Sequence, residues 1–407
     1  MPNSVFRSIP FSLCNAFLML GLTLYWLSLP RTFGDEAIFI KWTSLAKKSL
    51  LGIDDKPQPS SVFYVDVSGS KMLVEQADPL YEEFTGYHNQ ALTDRLRLAE
   101  FLDSVAAHGR DIPLVILDIS FEEPSPYDSV LQAAIDRFPF PLVGARRLLE
   151  NGELSITQIT LPYGLATYLS SDSEFMKYPL FLQDTLPTLP LVAYGLAHNK
   201  TYRSSCLGPI VDGRWSLPKP IIDFKIRPYD LSDGVENLER PYDLRSIGTL
   251  LFEWTFWDKQ DIALLLRNRM LVIGDYTDDT HSTIFGNVPG PLLVHNAYLT
   301  LAEGENQITL SWLLLLFGLF AWMSWRIYGE EAKGQRRRWW QVGDTAVGRI
   351  IADSIDDTFF LVLGTILSYL LFNIHINILI LLIYLKVVTY LLNKYYFAPR
   401  QLSAEEE

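Results

Sequence analysis

The chain has only two cysteines, Cys14 and Cys206, and they lie far apart. So sparse a set excludes a disulfide framework and any cysteine-based zinc site. Cys14 belongs to an apolar run. Cys206 lies in a polar region, where it is either a small buried residue or a thiol able to cross-link to a partner. Positive charge is also short: 34 Lys and Arg against 47 Asp and Glu leave a formal net charge of -13. That argues against a nucleic-acid surface, which needs clustered cations to meet phosphates. There is no GxxxxGK[ST] loop and no GxSxG elbow, so neither phosphate cradling nor serine-hydrolase chemistry is indicated. No cofactor and no enzymatic activity are expected.

Apolar residues are plentiful, 49% of 407, and unevenly spread. The balance fits a soluble domain joined to a few membrane spans. Phe11 to Leu29 carries no charge and is long enough to cross roughly 30 Å of hydrocarbon. It lacks a small-residue cleavage site, so it reads as an uncleaved anchor. Thr309 to Trp325 is a second run, with Trp312, Trp322 and Trp325 near its ends as an aromatic belt requires. A third region, Phe359 to Leu392, is broken by Asn-Ile-His-Ile-Asn at 373–377. It reads as a helical hairpin with a tight turn.

Arg336, Arg337 and Arg338 set the orientation, because short arginine-rich loops stay cytoplasmic; Lys41, Lys47 and Lys48 on the opposite side oppose it. The expected order is a cytoplasmic N-terminus (1–10), a span (11–29), an extracytoplasmic domain (30–307), a span (308–325), a cytoplasmic loop (326–357), spans at 358–373 and 376–393, and a cytoplasmic tail (394–407). The location implied is a bacterial inner membrane, with the large domain periplasmic.

Within the external segment, Val62–Val67, Leu114–Ile119, Pro141–Ala145, Ile221–Ile226 and Met270–Asp275 are short, continuous apolar runs. Such runs suit strands buried on both faces. Ala91 to Ala107 and Ser129 to Phe138 have helical periodicity. The predicted fold is α/β: a mainly parallel sheet flanked by helices, plus four transmembrane α-helices. Carboxylates gather at strand ends: Asp66, Asp118 and Asp275, with Asp128 after the second strand. Ligands bind at the carboxyl ends of parallel strands; equally, each aspartate can cap its own loop or helix. Asp278, Asp279, His281 and His295 offer a two-histidine, two-carboxylate set, but their spacing matches no familiar metal motif, and no metal is expected. His295 reads as a support for a helix beginning at Asn296.

Three blocks then resemble a known family. VFYVDVSGS (62–70), LVILDISFEEPSPYDSVLQAAI (114–135) and LLRNRMLVIGDYTDDTHSTIFGNVPGPLLVHNAYLTLAEGE (265–305) are similar, in order and spacing, to the extracellular sensor domain CHASE (cyclases/histidine kinases associated sensory extracellular), type two. The blocks cover the two ends of the external segment. The plan of one span before the sensor and three after it also matches. The resemblance implies a sensor of a ligand or protein. The family usually continues into a cyclase or kinase; here no HRD, DFG or phospho-accepting histidine block follows the last span, which implies a separate cytoplasmic effector.

Arg336–Arg338 with Trp339 and Trp340 form a candidate contact for membrane lipid or a partner. The segment after them, with Val342, Ala346, Ile350 and Ile351 at helical spacing, reads either as an amphipathic helix or as an extension of the third span. Lys386, inside an apolar run, either snorkels roughly 10 Å to the inner surface or pairs with an acid, Asp356, Asp357 or one in a partner's span. A homodimer is a further candidate assembly. The competing reading is a scaffold or assembly component of a bacterial envelope complex; an external enzyme built on Asp66, Asp118 and Asp128 with a metal is the weakest.

Overall fold

The computed structural model describes residues 2–29, 34–53, 56–77, 87–167, 175–206, 208–233, 240–305, 307–331 and 346–392. Side chains are described for these except at 2–8, 34–37, 76–77, 87–88, 233, 329–331, 346–357 and 392. The chain forms two compact units, one of residues 1–53, 214–219 and 305–407, the other of 54–213 and 220–304. The expected external segment 30–307 is therefore divided: residues 34–53 and 214–219 fold with the apolar helices.

The first unit opens with α1 (Pro2–Ser28) and α2 (Gly34–Ser49). The second unit runs β1 (Val62–Asp66), β2 (Lys71–Ala77), β3 (Tyr87–Thr93), α3 (Arg95–His108), β4 (Val115–Asp118), α4 (Asp128–Asp136), β5 (Leu142–Arg146) and β6 (Tyr163–Leu165). Short strands β7 (Phe181–Leu182) and β8 (Leu186–Pro187) precede α5 (Leu189–His198); β9 (Tyr202–Arg203) and β10 (Ile210–Val211) follow it. After β11 (Arg214–Trp215), which belongs to the first unit, the second resumes with β12 (Leu231–Asp233), β13 (Tyr242–Ser246), α6 (Ile247–Trp254), α7 (Lys259–Leu266), β14 (Met270–Gly274), β15 (Thr280–Thr283), β16 (Gly286–Pro289) and α8 (Gly290–Ala302). The chain then returns to the first unit as α9 (Leu310–Glu331), α10 (Ala346–Phe372) and α11 (Ile378–Leu392).

The predicted parallel sheet is present. Seven strands lie in the order β12-β13-β1-β14-β4-β5-β6, and every neighbouring pair is parallel. Strand alternation sends Phe63, Val65, Leu117 and Ile273 into a core shared with α3, α4, α6 and α7. Tyr64, Ile116 and Val272 face the other way, where α8 and α5 cover the sheet. Both faces are filled, which is why the central strands read as continuous apolar runs.

Two expected elements differ. Leu92 belongs to β3, and α3 starts only at Arg95, because the Asp94 carboxylate accepts from the amides of Leu96 and Arg97 and caps the helix there. Ile221–Ile226 is no strand. It makes one bridge, Ile221 with Lys177, and the Ile222 amide donates to the Met176 carbonyl at 2.9 Å. Beyond that it bonds to side chains of α8: the Asp223 amide donates to Thr300 Oγ1, the Ile226 amide donates to Asn296 Oδ1, and Asn296 Nδ2 donates to the Ile226 carbonyl.

Of the four expected spans, two have helices that, among the described residues, are long and apolar enough to cross a membrane: Ile9–Ser28 and Leu310–Tyr328. The apolar parts of the last two helices, Thr358–Phe372 and Ile378–Leu391, are shorter; at 1.5 Å per residue they reach only about 22 Å, short of roughly 30 Å of hydrocarbon. The 373–377 turn is buried rather than exposed: Asn373, Ile374, His375, Ile376 and Asn377 are all covered. α10 is one continuous helix from Ala346, so the extension reading holds over 346–372. Arg336–Arg338, Trp339 and Trp340 lie outside the described residues, and Lys386 is half-buried on α11. Polar contacts tie this helical unit together: Asn15 Nδ2 donates to Ser324 Oγ (2.8 Å), Tyr384 Oη donates to Asn15 Oδ1 (2.7 Å), and Trp312 Nε1 donates to Ser368 Oγ (2.8 Å).

Gly274 is the position where α8 meets the sheet most closely. A Cβ there would overlap Pro291 Cγ and touch the Asp118 carbonyl at 3.0 Å. Gly274→Ala should therefore destabilise the protein by about 1–3 kcal/mol, lowering Tm by roughly 2–4 °C per kcal/mol in a unit of this size, measured on the full chain in detergent.

Candidate functional site

The register places Ser246, Asp66, Gly274 and Asp118 in one row across β13, β1, β14 and β4. Beyond this row, at the carboxyl edge of the sheet, lies a cleft of about 320 Å³. Strand ends supply Val67, Asp118, Ile119, Asp275 and Arg147; the loop after β4 adds Glu122 and Glu123; Asp279 closes one side. The opposite wall is the β2–β3 hairpin, through Lys71 and Gln90–Thr93. Five carboxylates and two cations thus line one opening.

The expected carboxylates divide. Asp118, Asp275 and Asp279 line the cleft. Asp66 is spent on its own turn, accepting from the Ser68 amide (2.9 Å), Ser68 Oγ (2.7 Å) and the Tyr276 amide (3.1 Å). Asp128 accepts from the Ser125 amide at 2.7 Å and stands 3.9 Å from the buried Arg95 guanidinium, which stacks over Phe121. Those two carry out the capping role, and neither lines the cleft.

The histidines also separate. His281 Nε2 pairs with Asp279 Oδ1 at 3.2 Å; that hydrogen bond raises the imidazole pKa against the opposing effect of burial. His295 lies in the middle of α8, which begins at Gly290 and not at Asn296. Pro291 suits the first helical turn, where no backbone N–H is needed. The His295 ring bonds Tyr64 Oη at 2.7 Å, and burial pushes its pKa down to about 3, so it is neutral. Among the described residues no group of three or more His, Cys, Asp or Glu is placed to hold a metal ion.

Asp118 has the chemistry of a working group. Burial, with the nearby Asp279 charge adding and His281 opposing, pushes its carboxyl up to about 7. Asp275 behaves oppositely: burial disfavours its charge, but hydrogen bonds from Lys71 and from the Asp278 and Thr277 amides outweigh that and hold it below the carboxylate range. Two carboxylates on one rim therefore differ in protonation near neutrality, which is how acid and base roles are separated in binding and catalytic sites. Lys71, Glu122, Glu123 and Arg147 were not among the sequence candidates. For Glu122, Glu123 and Arg147 the signal was position, just past the carboxyl end of a parallel strand or in the loop that follows it; Lys71 opens the β2–β3 hairpin and carried no such signal. Arg147 grips Glu122 with two hydrogen bonds, Nε to Oε1 at 2.8 Å and Nη2 to Oε2.

The sign of the Asp118 effect is opposite to that of most carboxylates. Its folded-state pKa lies above the unfolded value, so its contribution is most favourable in acid and is lost as pH rises from about 4 to about 7. Asp118→Asn should raise stability at pH 8 by up to about 4 kcal/mol and leave pH 4 nearly unchanged, as read from thermal unfolding at both pH values.

No family model, curated protein or solved structure matches this chain.

Proposed function

We propose that the chain is a membrane-anchored receptor whose carboxyl-edge cleft binds a small polar ligand on the non-cytoplasmic side and relays binding towards a cytoplasmic effector. The CHASE-like blocks are consistent with this: they supply Asp118, Glu122, Glu123, Asp275 and Asp279, all five carboxylates of the cleft. In this reading α1 and α9 cross the bilayer, the α10–α11 hairpin enters it, and the arginine-rich segment at 336–338 stays inside.

The observation that carries the proposal is the placement of α8. Its first residue is pressed against the cleft: the Gly290 amide donates to the Asp279 carbonyl at 2.8 Å, and a Cβ on Gly290 would overlap the Asp279 carboxylate. From Gly290 to Leu301 every residue is buried. In sequence, residues 303–309 separate α8 from α9. A ligand that repositions Asp279 acts on the first turn of this buried helix, and in this reading the change is relayed along the chain to α9. Such a relay requires that the ligand bind two states unequally.

Acids outnumber bases on the rim, so amines and hydroxyl-rich compounds are the ligand classes to test. A panel of these should include a compound that raises the Tm of the full-length protein. A site filled to a hundred times Kd contributes about 2.7 kcal/mol. Asp118→Asn and Asp279→Asn should each reduce that shift. A panel without such a compound, or shifts that both variants retain, would sink the ligand reading.

A specific observation favours the scaffold alternative. Phe252 and Phe256 stand exposed with ring centroids 5.2 Å apart, an arrangement suited to contact with another protein. If assembly is the purpose, Phe252→Ser with Phe256→Ser should dissociate an oligomer seen by light scattering and leave Tm unchanged. An unaltered mass would remove this alternative.

A further inference from the structure

Helix α2 is built inside out. Ile38, Trp42 and Leu45 follow an i, i+4, i+7 spacing and share one face; Ile38 is 57% and Trp42 68% exposed. The opposite face carries Thr43, Ser44 and Lys47 with Ile40, and these four are buried. A helix facing water shows the reverse, with apolar residues inward and polar ones outward. The polar face has a purpose here. It packs on α10 and α11, with Lys47 Nζ 3.8 Å from Glu305 and 5.9 Å from the Tyr369 ring centre. Phe39 meets His375 with ring centroids 5.9 Å apart, so α2 covers the 373–377 turn.

Other large apolar side chains of the same unit are exposed too: Leu50 and Leu51 just past the end of α2, Phe17 on α1, Leu314 on α9 and Leu371 on α10. Residues 29–33 are the whole connection between α1 and α2, so the helix begins close to the end of the first span in sequence. Tryptophan is the residue favoured at the junction of hydrocarbon and headgroups.

We propose that α2 is an interfacial helix that lies on membrane lipid at the non-cytoplasmic surface, Ile38 and Trp42 inserted, and roofs the short α10–α11 hairpin. The proposal rests on the reading that α1 and α9 cross a bilayer. It accounts for a hairpin too short to reach the opposite surface: its turn is closed by α2 instead of by water. A helix with a polar inner face and an apolar outer face suits lipid as its outer neighbour.

The test uses the full chain with Cys14→Ser and Cys206→Ser, carrying Trp42→Cys or, as a mid-span reference, Phe17→Cys. Each is labelled with bimane and placed in phosphatidylcholine–phosphatidylglycerol nanodiscs. Nitroxide lipids labelled near the headgroup or deep in the chain serve as quenchers, with iodide as the aqueous one. The label at position 42 should be quenched several-fold more by the shallow nitroxide than by the deep one, and that at position 17 the reverse. Quenching at 42 by iodide but by neither lipid means a water-facing helix and overturns the proposal. Quenching by none of the three means a protein neighbour, such as a second copy, and overturns it too. In both cases lipid quenching at 17 leaves the spanning reading standing; loss of lipid quenching at 17 as well removes that reading together with the proposal. Ile38→Cys repeats the measurement one turn away, in case Trp42→Cys disturbs folding.

Discussion

Pro291 rests on the Cα of Gly274, where no other residue leaves room for it. That single close approach seats the first turn of α8 at the carboxyl edge of the sheet, next to the row of Asp66, Gly274 and Asp118. Everything proposed for the cleft depends on it. With α8 held there, Gly290 meets Asp279, and Asp279 is kept near enough to Asp118 to oppose its ionisation. A side chain at 274 would lift the helix and separate it from the acidic rim.

The body of α8 is fixed by polar contacts as much as by packing. His295 bonds Tyr64, Asn296 takes both backbone groups of Ile226, and Thr300 accepts from Asp223. Each of these groups is buried, and an unsatisfied buried polar group costs about 1–3 kcal/mol. The helix therefore has few alternative registers: a slide of one residue would strand all three. Burial also keeps His295 neutral, so the Tyr64–His295 bond does not change across physiological pH. Titration near neutrality falls to Asp118 on the rim, pushed up to about 7 by burial, while its neighbour Asp279 raises the pKa of His281. The helix under the cleft thus keeps its contacts while the rim above it changes charge.

Legibility in the sequence followed burial. β1, β4, β5 and β14 are central strands covered on both faces, so their residues are apolar without interruption and could be read directly. β12, β13 and the β2–β3 hairpin carry charges, as in Ser-Asp at 232–233 and Asp-Leu-Arg at 243–245, and gave no such signal. Ile221–Ile226 looked like a strand because it is buried, but it pairs as one only at a single bridge, Ile221 with Lys177, and further along its backbone bonds go to side chains of α8, which pattern alone does not show. Among the aspartates, strand-end position was shared by Asp66, Asp118 and Asp275. Only tertiary contacts separate them: Ser68 and the Tyr276 amide use up Asp66, Lys71 secures Asp275, and Asp118 stays a poorly solvated acid. Arg147 came into the site from β5, a strand whose end carried no carboxylate to draw attention.

The helical unit misled the sequence reading for a related reason. Composition distinguishes apolar from polar but not lipid from protein interior, so Thr358–Phe372 and Ile378–Leu391 scored as spans though each is about 8 Å short of the hydrocarbon thickness. The Asn373–Asn377 turn between them was polar enough to suggest water. Its burial requires another cover, and the neighbour found on it is α2. The inverted faces of α2 then follow from geometry. Its inner side must meet Glu305, Tyr369 and the polar turn, so it carries Lys47, Thr43 and Ser44. Its outer side is released from that duty, and apolar residues there suit a lipid or protein neighbour better than water. With α2 on lipid, as proposed, the short hairpin, the polar turn and the inside-out helix share one cause, a depth mismatch.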